Sequence, residues 1–233
     1  MNFENRTVMI TGAAGHLGKA VAAAFAQRGA RLVLVDRHAE SLEAAFGADA
    51  ASALVPADLL DARQAQAALD TAVARFGRVD ALCHVAGGFR MGEAVHETTD
   101  ATWEFLFDVN ARTLVNVARA VVPHMVKHGG GRIVAVGAHA ALRGVAGMGA
   151  YCASKSALVR LVEAMSAELQ EKHVNVNCVL PTIIDTPDNR AAMPDADPAR
   201  WVAPQALAEA IAFLASDAAR AVHGAALPVS GLS

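Results

Sequence analysis

Cysteine is scarce in this chain. Cys83, Cys152 and Cys178 are odd in number, widely spaced and without a CxxC pair, which argues against a disulfide framework and for a reducing, cytoplasmic setting. Positive charge is not in excess: 20 Lys and Arg stand against 23 Asp and Glu, for a net charge of -3, so nucleic acid is not an expected partner. Long apolar runs are missing too. None approaches the ~18 residues needed to cross a bilayer, and Met1 to Ile10 lacks a basic stretch followed by an apolar one, so neither a membrane span nor an export signal is expected. No GxSxG segment occurs, which leaves hydrolase chemistry without a nucleophile elbow. Aromatic residues make up only 5% of the chain, and tyrosine occurs once, as Tyr151.

Apolar residues are abundant, at 54% of 233, enough for one domain with a sizeable core. The mean hydropathy of +0.32 suggests that some apolar surface is buried between subunits of a homo-oligomer.

Strand-like and helix-like segments alternate along the chain. Thr7 to Ile10, Arg31 to Asp36, Ala53 to Ala57, Val79 to Val85, Arg132 to Val136, Val174 to Leu180 and Ala225 to Val229 read as strands. Leu32 to Val35 is apolar throughout, as in a strand covered on both faces. Helices are predicted between the strands, among them Asp61 to Phe76, Asp100 to Val109, Thr113 to His128, Gly149 to Lys172 and Gln205 to Ala215. This alternation predicts a parallel sheet. Thr113 to His128 carries Leu114, Val115, Val117, Ala118, Val121, Val122 and Met125, a face wider than one core contact needs and the expected subunit contact. Five of the eight prolines fall between residues 181 and 204, and the loop at about 182–204 is expected to be a substrate lid.

Thr11-Gly12-Ala13-Ala14-Gly15-His16-Leu17-Gly18 lies between the first strand and the first helix. Backbone N–H groups and the helix dipole can hold a pyrophosphate there, where a Cβ would keep it away. Asp36 ends the second strand 18 residues after Gly18, placed to accept both hydroxyls of an adenosine ribose. Arg37 would attract a 2′-phosphate that Asp36 repels, so NAD(H) is preferred, with NADP(H) left open.

Lys155 follows Tyr151 by four residues, which puts both on one face of a helix. A cation beside a phenol favours the phenolate, so the phenol is expected below its usual pKa of about 10 and Tyr151 becomes a candidate general acid/base. His124 and His128 share helical metal spacing but have no third ligand, and no metal is expected.

Taken in order, Gly12, Gly15 and Gly18, Asp36, Asp58-Leu59, Val85-Ala86-Gly87, Asn110 and Tyr151 with Lys155 resemble the short-chain dehydrogenase/reductase family over essentially the whole chain. The resemblance implies an α/β fold, a doubly wound Rossmann-type parallel sheet of about seven strands in one NAD(P)-binding domain over residues 1–233. It implies NAD(P)H-dependent hydride transfer to or from a small molecule, in a homodimer or homotetramer. The implied cofactor residues are Gly12, Gly15, His16, Leu17, Gly18, Asp36, Arg37, Asp58, Leu59, Ala86, Gly87, Tyr151, Lys155, Pro181, Ile184 and Thr186. Asp58 and Leu59 would flank the adenine, and Lys155 would hold the nicotinamide ribose. Asn110 would hold a helix and a proton-relay water beside the catalytic Tyr151 and Lys155.

Three departures stand out. His16 replaces a usual glycine, and His84 stands where an Asn begins the family's NNAG motif. Most important, Ala138 occupies the position of the catalytic serine, 13 residues before the tyrosine. Loss of one oxyanion donor costs about 10²–10³ in rate, so simple alcohols or ketones would be handled poorly. Strand alternation would point His139 away from the site that Ala138 faces. The second half, with Gly137-Ala138, Gly147-Met148, Pro181-Thr182, Asp185-Thr186-Pro187, Asn189-Arg190, Met193-Pro194 and Trp201, is similar to a serine-less branch of the family, the dihydropteridine reductases. The expected activity is therefore hydride transfer from NADH to a conjugated carbonyl or imine, with quinonoid dihydropteridine the named case. Two rivals are a non-catalytic dinucleotide-binding regulator and an ordinary alcohol dehydrogenase or ketoreductase with another residue in place of Ser. Retention of Asn110, Tyr151 and Lys155 favours an enzyme, since a sensor has less use for a proton relay.

Overall fold

The computed structural model describes residues 1–47 and 50–233. Among them seven strands, β1 (Thr7–Thr11), β2 (Arg31–Asp36), β3 (Ser52–Pro56), β4 (Ala81–His84), β5 (Gly131–Val136), β6 (Val174–Pro181) and β7 (Ala226–Val229), form one sheet ordered β3-β2-β1-β4-β5-β6-β7. Every neighbouring pair is parallel. Parallel neighbours need crossover connections, which helices supply: α1 (His16–Ala26), α2 (Ala39–Phe46), α3 (Ala62–Phe76), α4 (Asp100–Phe107), α5 (Thr113–Lys127), α6 (Gly149–Leu169), α7 (Pro187–Ala192) and α8 (Pro204–Leu214). This is the doubly wound Rossmann-type arrangement.

Alternation along each strand feeds two cores. Val8, Ile10, Leu32 and Leu34 pack with Leu17, Val21, Phe25, Leu207 and Ile211 from α1 and α8. Met9, Val33 and Val35 pack on the other face, in a core shared with Leu69, Leu114, Val117, Leu158 and Val162 from α3, α5 and α6. Both faces of the central strands are therefore covered, which is why their sequences carry no polar alternation.

The sequence expectation departs from the structure at four places. The break predicted between residues 109 and 113 is a π-turn, Asp108–Arg112, that joins α4 to α5 without interruption; one extra residue in the turn lets the chain stay helical while re-aiming Asn110. The segment after β6 is not all loop: Thr186 accepts from the N–H of Asn189 and caps α7, with Pro187 in its first turn. His139 does not follow strand alternation, because β5 ends at Val136 and His139 opens a 3₁₀ turn to Leu142. Finally, most of the wide apolar face of α5 is used within the protomer. Leu114, Val117, Ala118, Val121 and Met125 are buried, and only Val115 and Val122 of that set keep partial exposure.

Candidate active site

The strands point their C-terminal ends to one edge, and β1 and β4 leave that edge with their connections running to opposite sides. Such a switch point opens a crevice. Gly12 marks it. Its φ is +65°, and a Cβ there would lie 2.8 Å from the Ala86 amide nitrogen, so the exits of β1 and β4 touch only because residue 12 is glycine. At Gly18 a Cβ would overlap the Gly12 carbonyl oxygen, so this residue packs α1 onto the turn. Gly15 precedes α1 in extended conformation, and among the described residues no side chain caps that helix. Its first N–H groups and dipole face the crevice mouth, where a pyrophosphate would sit. His16, in place of the usual glycine, is an exposed first residue of α1, and Leu17 is buried. Neither closes the turn.

Asp36 ends β2 beside this turn. One carboxylate oxygen accepts from the Ala14 N–H at 2.9 Å and the other from the Arg37 N–H at 2.8 Å, which orients the group and leaves lone pairs for ribose hydroxyls. Asp58 follows β3 and accepts from Leu60 N–H; Leu59 is buried, its carbonyl held by Asn116. Ala86 and Gly87 leave β4, Pro181 ends β6, and Ile184 and Thr186 begin the segment beyond it. The predicted cofactor residues thus gather at one sheet edge, and the uncapped α1 and the turn around Gly12 fit a dinucleotide.

The chemical end is built around Gly88. Asn110, in the π-turn, accepts from the Gly88 N–H at 3.0 Å and donates to the Gly88 carbonyl at 3.0 Å. Its amide also donates to Ser154 Oγ, which donates to the Tyr151 carbonyl. Both amide hydrogens of Asn110 are spent on these contacts, while Oδ1 keeps a second lone pair. The contacts tie the exit of β4 to the first turns of α6, which carries Tyr151 and Lys155. Lys155 is buried and donates to the Val136 carbonyl at 2.9 Å; burial brings its pKa down to about 8. A Cβ on Gly87 would lie 3.0 Å from Asn110 Oδ1 and 3.1 Å from Lys155 Nζ, so these groups converge on the backbone that lines the crevice.

Tyr151 corrects the sequence expectation. Burial, with a smaller contribution from Cys152, pushes its phenol up to about 12 rather than down. The Lys155 ammonium is turned to Val136, and the ring of Phe89 packs edge-on against Tyr151 with centroids 4.8 Å apart. The phenol therefore keeps its proton at neutral pH.

His84 lies fully buried beneath this cluster. Thr113 Oγ1 donates to the Val109 carbonyl, so it accepts from His84 Nε2–H at 3.3 Å. Thr11 Oγ1 accepts from Ala86 N–H and donates to His84 Nδ1 at 2.9 Å. The neutral Nε2–H tautomer satisfies every partner. Burial, reinforced by the Lys155 charge, brings the imidazole pKa down to about 3. His84 thus braces the end of β4 against β1 and the first residue of α5.

Ala138 is buried just beyond β5, and no hydroxyl is offered from this position. A cavity of about 150 Å³ opens beside Tyr151, lined by Arg90, Met91, Glu93, Thr98, Thr102, Leu106, Met148 and others. Sequence reading missed Ser154, Gly88 and the lining other than Gly147, Met148 and Tyr151; only Ser154, three residues after Tyr151 on the same helix, carried a spacing signal. The segment read as a lid is anchored at both feet: Val202 N–H donates to the Ile183 carbonyl and Asp185 N–H to the Val202 carbonyl. Arg190 pairs with Asp185.

His124 Nε2 accepts from the Val79 N–H, and its ring stacks on His128. Among the described residues no group of three His, Cys, Asp or Glu is arranged to hold a metal, and no helix is long and apolar enough to cross a membrane. All three cysteines are buried and unpaired.

The sequence model for short chain dehydrogenase matches residues 6–197. D-threitol dehydrogenase of Mycolicibacterium smegmatis is 34% identical, over 98% of this chain and 92% of its own length. A 3-oxoacyl-[acyl-carrier-protein] reductase of Thermotoga maritima is 30% identical, over 99% and 98%. Among solved structures, levodione reductase superposes with a TM-score of 0.91 at 28% identity, covering 99% of this chain and 98% of that one. The 3-ketoacyl-(acyl-carrier-protein) reductase from Brucella melitensis, complexed with NADH, gives 0.89 at 30% identity, covering 98% of each.

Proposed function

This chain is a member of the short chain dehydrogenase family, an NAD(P)-dependent oxidoreductase, and from that premise we propose that it is an NADH-preferring reductase of a conjugated carbonyl or imine. The observation that carries the reading is Ala138 in a site where Asn110, Tyr151 and Lys155 are otherwise assembled. A bound nicotinamide dinucleotide supplies the hydride. Tyr151, protonated at neutral pH, supplies the proton, the form a reductase needs. Lys155, which keeps α6 against β5 through Val136, would hold the nicotinamide ribose with its ammonium. No side chain at position 138 polarises the acceptor, so a substrate whose own conjugation stabilises the incoming charge is favoured.

NADH oxidation measured against quinonoid dihydropteridine, quinones, enones and unactivated ketones tests this, with threitol and NAD⁺ as the arm for the alcohol dehydrogenase alternative. Conjugated acceptors should lead. Unactivated ketones or threitol turned over as fast as the best conjugated acceptor would overturn the reading.

Nucleotide choice rests on Asp36. A 2′-phosphate would be brought against its carboxylate, while Arg37 is exposed and its guanidinium is directed to His38. NADH should bind at least about tenfold tighter than NADPH, a difference of ~1.4 kcal/mol, and Asp36→Ala should narrow the gap. Equal dissociation constants for the two nucleotides in the unmodified protein would show that Arg37 prevails.

We also propose self-association. Trp103 stacks on Phe107 with centroids 4.4 Å apart yet stays 48% exposed, and Val126 on α5 is exposed as well. Apolar surface of this kind is usually covered. Light scattering at micromolar concentration should return a dimer or tetramer, and a monomer would refute the assignment.

A further inference from the structure

We propose that Arg90 recognises an anionic group on the substrate, so that the acceptor is a conjugated carbonyl or imine carrying a carboxylate, sulfonate or phosphate. This rests on the reductase reading above and adds the charge of the substrate to it.

The Gly88 clasp organises this side of the cavity. Asn110 fixes the Gly88 backbone, and the missing Cβ of Gly88 makes room for Phe105, whose Cζ would otherwise lie 2.9 Å from it. The Phe105 ring is thereby pinned against the same backbone that positions the catalytic end. Arg90 lays its guanidinium over that ring, 3.9 Å from the centroid. Stacking orients a planar cation and leaves its N–H edges free. Arg90 lines the cavity together with Tyr151, and among the described residues no carboxylate lies within 4 Å of it. An unpaired, pre-oriented guanidinium in the same cavity as the proton donor is suited to holding an anion.

Glu93 lines the same cavity and carries the opposite charge. One of its oxygens accepts from Thr102 Oγ1 at 2.9 Å and the other from the Thr99 N–H at 3.1 Å. Thr99 is the N-cap of α4, so the carboxylate sits at the positive end of a helix dipole that offsets part of its charge. Glu93 is committed to holding the start of α4. Arg90 has no such commitment.

The test compares isatin with isatin-5-sulfonate, a matched pair of conjugated dicarbonyls that differ by one anionic group, using NADH. The unmodified protein should favour the sulfonate in kcat/KM, mainly through KM, and the preference should shrink as salt is raised. Arg90→Gln should reduce the sulfonate-to-isatin ratio by about 10- to 100-fold, the span of one charge-assisted hydrogen bond, and Arg90→Lys should restore part of it. A ratio near one in the unmodified protein, or one unaltered by Arg90→Gln, overturns the assignment and leaves the reductase reading standing. If neither compound is reduced, the reductase reading is decided by the acceptor panel above, and calorimetric binding of isatin-5-sulfonate to the NADH-loaded protein decides Arg90. Equal affinity in the Arg90→Gln variant would then overturn it.

Discussion

Tyr151→Phe should lower turnover by about 10³-fold or more while NADH binds nearly as before, whereas Lys155→Ala should damage both. A positioned general acid contributes about 10²–10⁴ in rate, and tyrosine occurs only once in the chain, so no second phenol can take over. The exchange removes only the hydroxyl. The ring remains to meet Phe89 edge-on, and the Ser154 contact is to the Tyr151 backbone carbonyl, so Asn110 and α6 stay in place. Lysine 155 is different. Its ammonium is buried and bonded to the Val136 carbonyl, and Ala would remove that bond at the site proposed to hold the ribose. NADH fluorescence titration and steady-state rates separate the two variants. Because burial brings the Lys155 pKa down to about 8, the ammonium is present below that pH and lost above it, so NADH binding should weaken as pH rises past about 8. Retained turnover in Tyr151→Phe would sink the proton-donor role and point to a substrate that takes its proton from water.

Regular elements were legible where one local rule decided them. Leu32 to Val35 is uniformly apolar because α1 and α2 cover one side of β2 and α3 the other, and the predicted strand ends match β2 residue for residue. Tyr151 and Lys155 were legible because an i,i+4 pair on a helix needs no tertiary knowledge. The acidity of Tyr151 was not. It depends on how deeply the ring is buried and on the Lys155 ammonium turning toward Val136, and neither is a property of spacing. The π-turn was hidden for a related reason: Asp108 to Arg112 contains neither Gly nor Pro, and its extra residue is stabilised by the bonds Asn110 makes to Gly88, 22 residues away. Arg90 on Phe105 likewise joins two segments that no periodicity links. By contrast, α7 had a local signature in Thr186-Pro187, an N-cap followed by a first-turn proline.

Ala138→Ser should raise kcat/KM for unactivated ketones by up to about 10²–10³, the worth of one preorganised oxyanion donor, and raise it far less for a conjugated acceptor. The backbone at this position is held independently of its side chain. Gly137 N–H donates to the Val179 carbonyl at 2.9 Å, and Ala141 N–H donates to the Ala138 carbonyl at 2.9 Å. Position 138 has φ -158° and ψ 149°, extended backbone that serine adopts without strain, so the new hydroxyl should not disturb Lys155 on Val136. A competing outcome is built into the same geometry. Ala138 is the N-cap of the turn His139–Leu142, where a serine hydroxyl can bond the turn's own N–H groups instead of a substrate oxygen. That choice would appear as a rise in melting temperature with no change in rate. Measuring kcat/KM for cyclohexanone and isatin alongside thermal unfolding distinguishes the two. A gain confined to cyclohexanone shows that the absent donor is what restricts the acceptor. An equal gain on both compounds, or none on either with the melting temperature unchanged, would mean that substrate choice is set elsewhere, and the reading built on Ala138 would fail.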